Sequence, residues 1–306
     1  MDKHWSNYCT MSIVHFMAFP ETIRGDGPIA ETVTKIAEDP FFGAIEIGWI
    51  QDPAVRAKVK RIVETAHIQV GHGAGASLLQ NNLNLNSLDE QECHRAVRQL
   101  YSNLDQGAEM GARSMVFLSG TDPGDTKRSQ ALEILAKSVR QVAAYARDKG
   151  IALTLETFDR TIEKKCLIGP SKLAAEFCHG IREDYDDFGL LYDLSHMPLL
   201  YETEASLEVI KDYLVHIHIG NSVLRKEAAA YGDQHPRFGW PGSVNDTPQV
   251  TEFIRGLFRC GYLKENSATR PWVGFEVKPQ SPDESSALVI AGAKRVWEEA
   301  WSRARL

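Results

Sequence analysis

The chain has 306 residues, 43% of them hydrophobic and 25% charged, which is the composition of a globular protein long enough to bury a large core without disulfides. Its 41 acidic and 34 basic residues give a formal net charge of -7, which argues against a nucleic-acid partner, whose affinity rests mostly on clustered Lys and Arg. Cys9, Cys93, Cys166, Cys178 and Cys260 are scattered, with no C-x-x-C pair, and read as reduced thiols of a cytoplasmic protein. No stretch approaches the roughly 18 apolar residues that cross a bilayer, so no membrane partner is expected. The opening MDKHWSNYCTMS lacks the apolar segment of a signal peptide.

Short β-like runs alternate with longer amphipathic ones. The run 12–19 (SIVHFMAF) precedes a helical pattern near 27–39, and 43–49 (GAIEIGW) precedes a helix opened by Asp52-Pro53, an N-cap followed by proline in the first turn. After 67–73 (HIQVGHG) and an Asn-rich loop comes a long helix near 88–110, where Ser87-x-x-Glu90 has capping-box spacing. The run 114–120 leads into a helix near 127–148 that ends at Gly150, and 151–158 (IALTLETF) leads into one near 170–181. Next come 188–196 (FGLLYDLSH), a helix near 204–213, and 214–221 (LVHIHIGN). A long loop, a helix near 246–261, the run 272–279 (WVGFEVKP) and a helix near 284–302 complete eight strand-plus-helix units.

Strands alternating with helices predict a parallel sheet, and eight units at this length predict a closed (β/α)8 barrel, a TIM barrel. A doubly wound open sheet is the rival, but no G-x-G-x-x-G follows a strand. No Pro-, Gly- or Ser-rich linker divides the chain, so residues 1–306 read as a single domain. The stretch from Ser222 to Asn245 is too long for an ordinary connection and is a candidate functional loop.

The active site of such a barrel lies at the C-terminal ends of its strands. Strand five ends at Glu156, six at Asp193, seven at His218 and eight at Glu276, each after an apolar run. An uncompensated inward carboxylate is expensive, so such groups must be paired or coordinated. Three carboxylates and an imidazole on four consecutive strands can converge into a cage for one divalent ion. Its oxygen-rich character points first to Mn2+, with Mg2+, Co2+ or Zn2+ as alternatives. His216 and His218 face the same side, about 6–7 Å apart in depth. His218, nearer the rim, is the expected ligand, and His216 a buried support one layer below.

Other polar residues fall near the predicted rim. His72, in GHGAG, is a candidate acid/base or hydroxyl contact, Trp49 a candidate hydrophobic wall against a bound substrate, and Lys278 a contact for an anionic substituent. His15 and Glu46 also stand at the ends of strands one and two, whereas Asp122, His94 and His179 read as solvated.

The pieces LE (155–156), YDLSHM (192–197), HIHIGN (216–221) and FEVKP (275–279), in this order, resemble the xylose-isomerase-like barrel superfamily. Within it the chain looks most like the sugar isomerase/epimerase branch that contains the ketose 3-epimerases, and the resemblance covers nearly the whole chain. It implies that Glu156, Asp193, His218 and Glu276 bind one divalent metal completed by two vicinal sugar oxygens. It further implies that Glu156 and Glu276 exchange a proton from opposite faces of the substrate carbon, and that His196 and Arg225 contact the substrate. A proton beside a carbonyl is removable when the developing enediolate is stabilised, which a metal bridging both oxygens does. One carboxylate then acts as base and the other as acid. Members of the superfamily are often dimers or tetramers, so a homo-oligomer is expected.

The chain also departs from that branch. The epimerases carry a glutamate six residues after the first ligand, where this chain has Ile162 with Glu163 adjacent, and the spacing to Arg225 is one residue longer. The long interval from His218 to Glu276 holds YGDQHPRFGWPGSVND (231–246), where His235, Arg237 and Trp240 are candidates for a lid or a sugar-stacking wall. The expected function is a metal-dependent isomerase/epimerase of a small carbohydrate or polyol. If β-elimination follows the same proton removal, the outcome is a lyase or dehydratase of a keto-sugar or keto-cyclitol, including 3-oxo-glycoside cleavage. A phosphodiesterase like the endonuclease IV branch, with three zinc ions and a basic DNA face, fits poorly with an acidic chain offering one evident metal set.

Overall fold

A computed structural model describes residues 3–265, 267 and 269–304. Its strands are β1 (Thr10–Ile13), β2 (Ala44–Ile47), β3 (Gln69–Gly73), β4 (Ser114–Leu118), β5 (Ala152–Glu156), β6 (Gly189–Asp193), β7 (Leu214–Gly220) and β8 (Trp272–Glu276). All pair in parallel in the order β1-β8-β7-β6-β5-β4-β3-β2. A parallel bridge from Val14 to Glu46 joins β1 to β2 and completes the ring. The outer helices are α1 (Ile29–Ala37), α2 (Pro53–Thr65), α3 (Glu90–Met110), α4 (Arg128–Lys149), α5 (Ser171–Arg182), α6 (Ser206–Ile210), α7 (Thr247–Arg259) and α8 (Ser286–Arg303). This is the expected (β/α)8 barrel.

Two local readings change. The first strand is 10–13, not 12–19, because after Val14 the chain turns into a short helix, His15–Ala18, whose apolar residues imitate a strand in sequence. The helix α3 is not capped by Ser87 with Glu90. Asp89 is the N-cap and accepts from the Gln91 N–H at 2.9 Å, while Ser87 Oγ bonds Glu92 at 2.5 Å. Glu90 is the first helical residue and so lies too early to close the box. The cap at Asp52-Pro53 forms as expected, and Gly150 ends α4 in the left-handed conformation that glycine adopts without strain.

Strand alternation separates an apolar shell from a polar interior. In β5, Leu153 and Leu155 are buried in the hydrophobic core, while Thr154 and Glu156 take the other face. Such interiors are usually filled by Val, Ile and Leu. Here Ser12, Glu46 and His218 meet opposite Gly274, where an added Cβ would stand 2.6 Å from Ser12 Oγ and 2.8 Å from Glu46 Oε1. Only glycine leaves room for that polar layer.

Gly71 and Gly73 occupy the inward positions of β3, against Glu46 and Phe16, so the residue between them faces outward. That residue is His72, and its predicted place at the mouth is therefore corrected. Its Nε2 lies 2.9 Å from Asn103 Oδ1 on α3, and Asn103 donates in turn to Ser77 at 2.8 Å. Burial pushes the ring from its ordinary 6.5 down to about 4, with the Asn103 bond offsetting only part. As the pH falls through this window the unfolded chain takes up the proton first, so stability is present above 6.5 and declines towards 4. The full effect is roughly 3 kcal/mol. Urea unfolding near neutrality and near pH 4 should show this loss in the wild type and much less of it in His72→Gln. An identical pH dependence in the two proteins would remove His72 from the account.

Candidate metal centre

A cavity of about 260 Å³ opens at the C-terminal mouth of the barrel. Its polar end is formed by Glu46, Glu156, His218, Asp233, His235 and Glu276, with Glu163, Lys164, Gln234 and Lys278 above them. Phe16, Met17, Ile23, Leu79 and Phe158 line an apolar wall.

The four expected ligands converge. Glu156, Asp193 and Glu276 are the last residues of β5, β6 and β8, and His218 is directly opposite Asp193 in the β6–β7 register. Each offers an atom within 4.8 Å of the others. All four side chains are buried, and each retains one atom without a hydrogen-bond partner: Glu156 Oε1, Asp193 Oδ2, His218 Nδ1 and Glu276 Oε2. His218 Nδ1 lies 2.7 Å from Glu276 Oε2 and 3.5 Å from Glu156 Oε1, but neither contact is aligned as a hydrogen bond. A divalent cation fits this donor set, because it would satisfy all four atoms and offset the three carboxylate charges.

Glu46, which sequence reading placed only at a strand end, orients the histidine. Its Oε2 is 3.0 Å from His218 Nε2, its Oε1 is 3.2 Å from His216 Nε2, and Ser12 Oγ donates to Oε1 at 3.0 Å. With Nε2–H directed at a carboxylate, Nδ1 of His218 presents its lone pair towards the other three ligands. His216 lies below, with its ring 4.9 Å from that of His218. The signal for Glu46 in sequence was its place in the alternating Ala44–Ile47, although nothing there named its partners on β7.

The long loop after β7 folds back into the mouth. Asn221 and Asn245 tie its ends, and the loop delivers Asp233 and His235, both buried. Asp233 Oδ1 is 3.0 Å from His196 Nε2 and 2.9 Å from His235 Nε2. A second loop, after β5, turns around buried Asp159, which accepts N–H groups from Ile162, Glu163 and Lys164. Glu163 then accepts from the Asp233 N–H at 2.6 Å and from Gln234 Nε2 at 2.7 Å. Glu163 thus stitches the two loops together, while Asp233 pairs with His196.

Several expectations move. His196 is fully buried behind Asp233 and outside the cavity lining, so it does not present a substrate contact here. Arg225 is exposed on the outer part of the loop, away from the lining. Trp49 packs beneath Gly25 and donates to the Ile23 carbonyl at 3.3 Å, behind the apolar wall. Arg237 stacks over Trp240 and pairs with Glu284 at 3.0 Å, and neither residue lines the cavity. Lys278 does line it, with Nζ 2.9 Å from Gln234 Oε1. His15 turns outward to Thr32, 2.8 Å away. His94 and His179 are exposed as read, but the Asp122 carboxylate is largely covered by Arg128 and Arg160. Instead of one evident metal set, there are three overlapping groups among the described residues: the four-residue centre, Asp193–His196–His235, and Glu46–His216–His218.

The charges split the two central glutamates. Burial, reinforced by the charge of Glu276, pushes Glu156 up to about 7. Burial also opposes ionisation of Glu276, but His235 and His218 beside it outweigh this and hold it at about 2. Burial lowers Lys278, and neighbouring Lys164 adds to the effect.

Comparison with curated protein sequences gives no match. Among solved structures the chain is similar to an L-ribulose 3-epimerase, with 17% identity, 97% of each chain covered and a TM-score of 0.71. It is similar to an IolI protein with a binding zinc atom, with 13% identity, 97% of this chain and 99% of that chain covered, and a TM-score of 0.73. A third is 3-keto-D-glucoside 4-epimerase from E. coli, with 16% identity, 97% and 100% coverage and a TM-score of 0.64. At such identities the likeness is one of fold. The family model described as xylose isomerase-like TIM barrel matches residues 36–264, well over half of the sequence, and the chain belongs to that family.

Proposed function

We propose that the chain is a divalent-metal-dependent isomerase or epimerase of a small carbohydrate or polyol, with one ion held by Glu156, Asp193, His218 and Glu276. The observation that carries the reading is the convergence of four buried, unpartnered atoms, one from each residue. Unmet buried polar atoms cost on the order of 1–3 kcal/mol each, so this arrangement needs a shared partner. Mn2+ is the first expectation for so oxygen-rich a set, with Mg2+, Co2+ and Zn2+ as alternatives. The epimerases of like fold, and the zinc of the IolI structure, support the reading.

When bound, the ion supplies positive charge that stabilises an enediolate formed by proton loss beside a carbonyl. Glu276 and Glu156 both reach His218 Nδ1, so two carboxylates flank the same point. In the proposed reaction they divide the labour of base and acid, one removing the substrate proton and the other returning a proton. Glu46 holds His218 in the tautomer that keeps Nδ1 free. Lys278 and Lys164 offer charge to an anionic substituent at the rim. The apolar wall of Phe16, Met17, Ile23, Leu79 and Phe158 favours a substrate with an apolar group beside its diol. That wall is also the observation in favour of the second reading, a lyase in which proton removal is followed by loss of an aglycone or water.

Incubation in D2O with ketoses, 3-oxo-glycosides and inososes, with Mn2+ or with chelator, tests the function. Metal-dependent deuterium uptake with the carbon skeleton intact is the expected result, and product lacking water or aglycone would move the assignment to the lyase. Absence of exchange with every substrate would overturn the enediolate reading. Glu156→Gln and Glu276→Gln should each lower exchange by about 10²- to 10⁴-fold. Wild-type exchange in both would exclude the two glutamates from proton transfer. For the ligand set, His218→Ala should abolish retention of the central ion after gel filtration, and His216→Ala should keep the ion and lower stability. Glu46→Gln should weaken metal binding by about 10- to 100-fold. Equal metal loss in His216→Ala and His218→Ala would sink the distinction between the two histidines.

A further inference from the structure

We propose that the substrate is a sugar acid of the ketouronate class, and that Lys278 receives its carboxylate at the rim of the mouth. This rests on the sugar chemistry proposed above and adds to it the charge of the substrate. Lys164 and Lys278 both line the cavity, but their charges are met differently. Lys164 Nζ lies 2.7 Å from Glu163 Oε1 and 3.5 Å from Asp233 Oδ2, so two carboxylates already neutralise it. Lys278 Nζ has only a neutral acceptor, the Gln234 amide oxygen at 2.9 Å.

The acids around Lys278 are committed elsewhere. Glu163 takes Lys164, the Asp233 N–H and Gln234 Nε2. Asp233 faces His196, His235 and Lys164, while Glu284 pairs with Arg237 and accepts the Gln280 N–H. No ion pair to Lys278 forms among the described residues, and the side chain is half-buried in the lining. A cation kept out of water without a counter-charge is costly. An ordinary surface lysine would instead extend its stem and place the ammonium in water.

The local structure holds the ammonium in place. Beyond β8 the Lys278 N–H donates to the His235 carbonyl at 2.7 Å, which fixes the backbone against the long loop. Gln280 Nε2 adds bonds to the carbonyls of Gln234 at 2.7 Å and Lys278 at 2.9 Å. Gln234 donates its Nε2 to Glu163 at 2.7 Å, and its oxygen is thereby turned to Lys278. An ammonium has three donors, so with one given to Gln234 two are left for the cavity.

One uncompensated positive charge matches one carboxylate. A phosphate monoester brings about two charges at neutral pH and is best held by arginine forks or several backbone N–H groups. No arginine lines the cavity among the described residues. Lys278 follows Glu276 by two residues, so their Cα atoms are at most about 7 Å apart. A single five- or six-carbon substrate can therefore set its diol at the proposed ion and its acid at Lys278.

The full chain loaded with Mn2+ would be titrated calorimetrically with D-fructuronate and D-tagaturonate. D-fructose and D-tagatose, which carry a hydroxymethyl group in place of the acid, are the matched neutral ligands. The acids should bind about 10- to 100-fold more tightly than the sugars, and this ratio should fall towards one in Lys278→Met. Equal affinities, or no binding of either acid, would overturn the proposal, and so would a preference that survives in Lys278→Met. Tighter binding of D-fructose 6-phosphate than of both acids would overturn the choice of a carboxylate. If Lys278→Met fails to fold, a crystal structure of the wild type with bound acid decides. A carboxylate within hydrogen-bond distance of Nζ supports the subsite, and one placed elsewhere removes it. Binding is read without turnover, so the two readings fail separately. An acid preference without deuterium exchange would overturn the reaction and keep the subsite, whereas exchange with neutral sugars and no acid preference would do the reverse.

Discussion

Buried charge is the constraint on which the mouth of this barrel depends. Glu46, Glu156, Asp193, Asp233 and Glu276 lie on or beside its axis with almost no contact with water. A carboxylate taken out of water must find a cation, a set of donors or a proton. Glu46 finds Ser12 and two histidines, and Asp233 finds two histidines and a lysine. Glu156, Asp193 and Glu276 keep free atoms directed at a shared point, which is the property the proposed chemistry uses.

The fold makes this possible by dividing labour between strand faces. Outward residues such as Leu153, Leu155, Ile217, Ile219, Val273 and Phe275 join a core continuous with the helices. That apolar shell carries the hydrophobic stabilisation, while Ser12, Glu46, Glu156 and His218 take interior positions that branched aliphatics usually fill. Gly71 and Gly274 then provide space for Glu46 and its histidine partners. Stability and chemistry therefore occupy alternate positions of the same strands.

The loops after β5 and β7 complete the site, and they act together. Asp159 shapes the first, Glu163 joins it to the second, and the second carries Asp233 and His235 under the rim. The acid that faces His196 Nε2, Asp233, comes from the loop after β7. The result is a closed polar layer in which His196 is a buried partner rather than a group facing the cavity.

Much of this was legible in one dimension. Eight alternating units, the caps at Asp52 and Gly150, and the polar residues at four strand ends follow from periodicities of 2 and 3.6 and from the cost of burying charge. The same alternation, read with Gly71 and Gly73 on either side, would have turned His72 outward. Residues 14–19 misled because a short buried helix and a strand share the same apolar run. The sequence by itself determined the barrel and the four polar strand ends that converge at its mouth, since both are local consequences of side-chain order along each strand. Only the tertiary structure decided the partnerships, Glu46 with His218 and Asp233 with His196. They join residues 172 and 37 positions apart through barrel closure and loop return, for which local periodicity holds no signal.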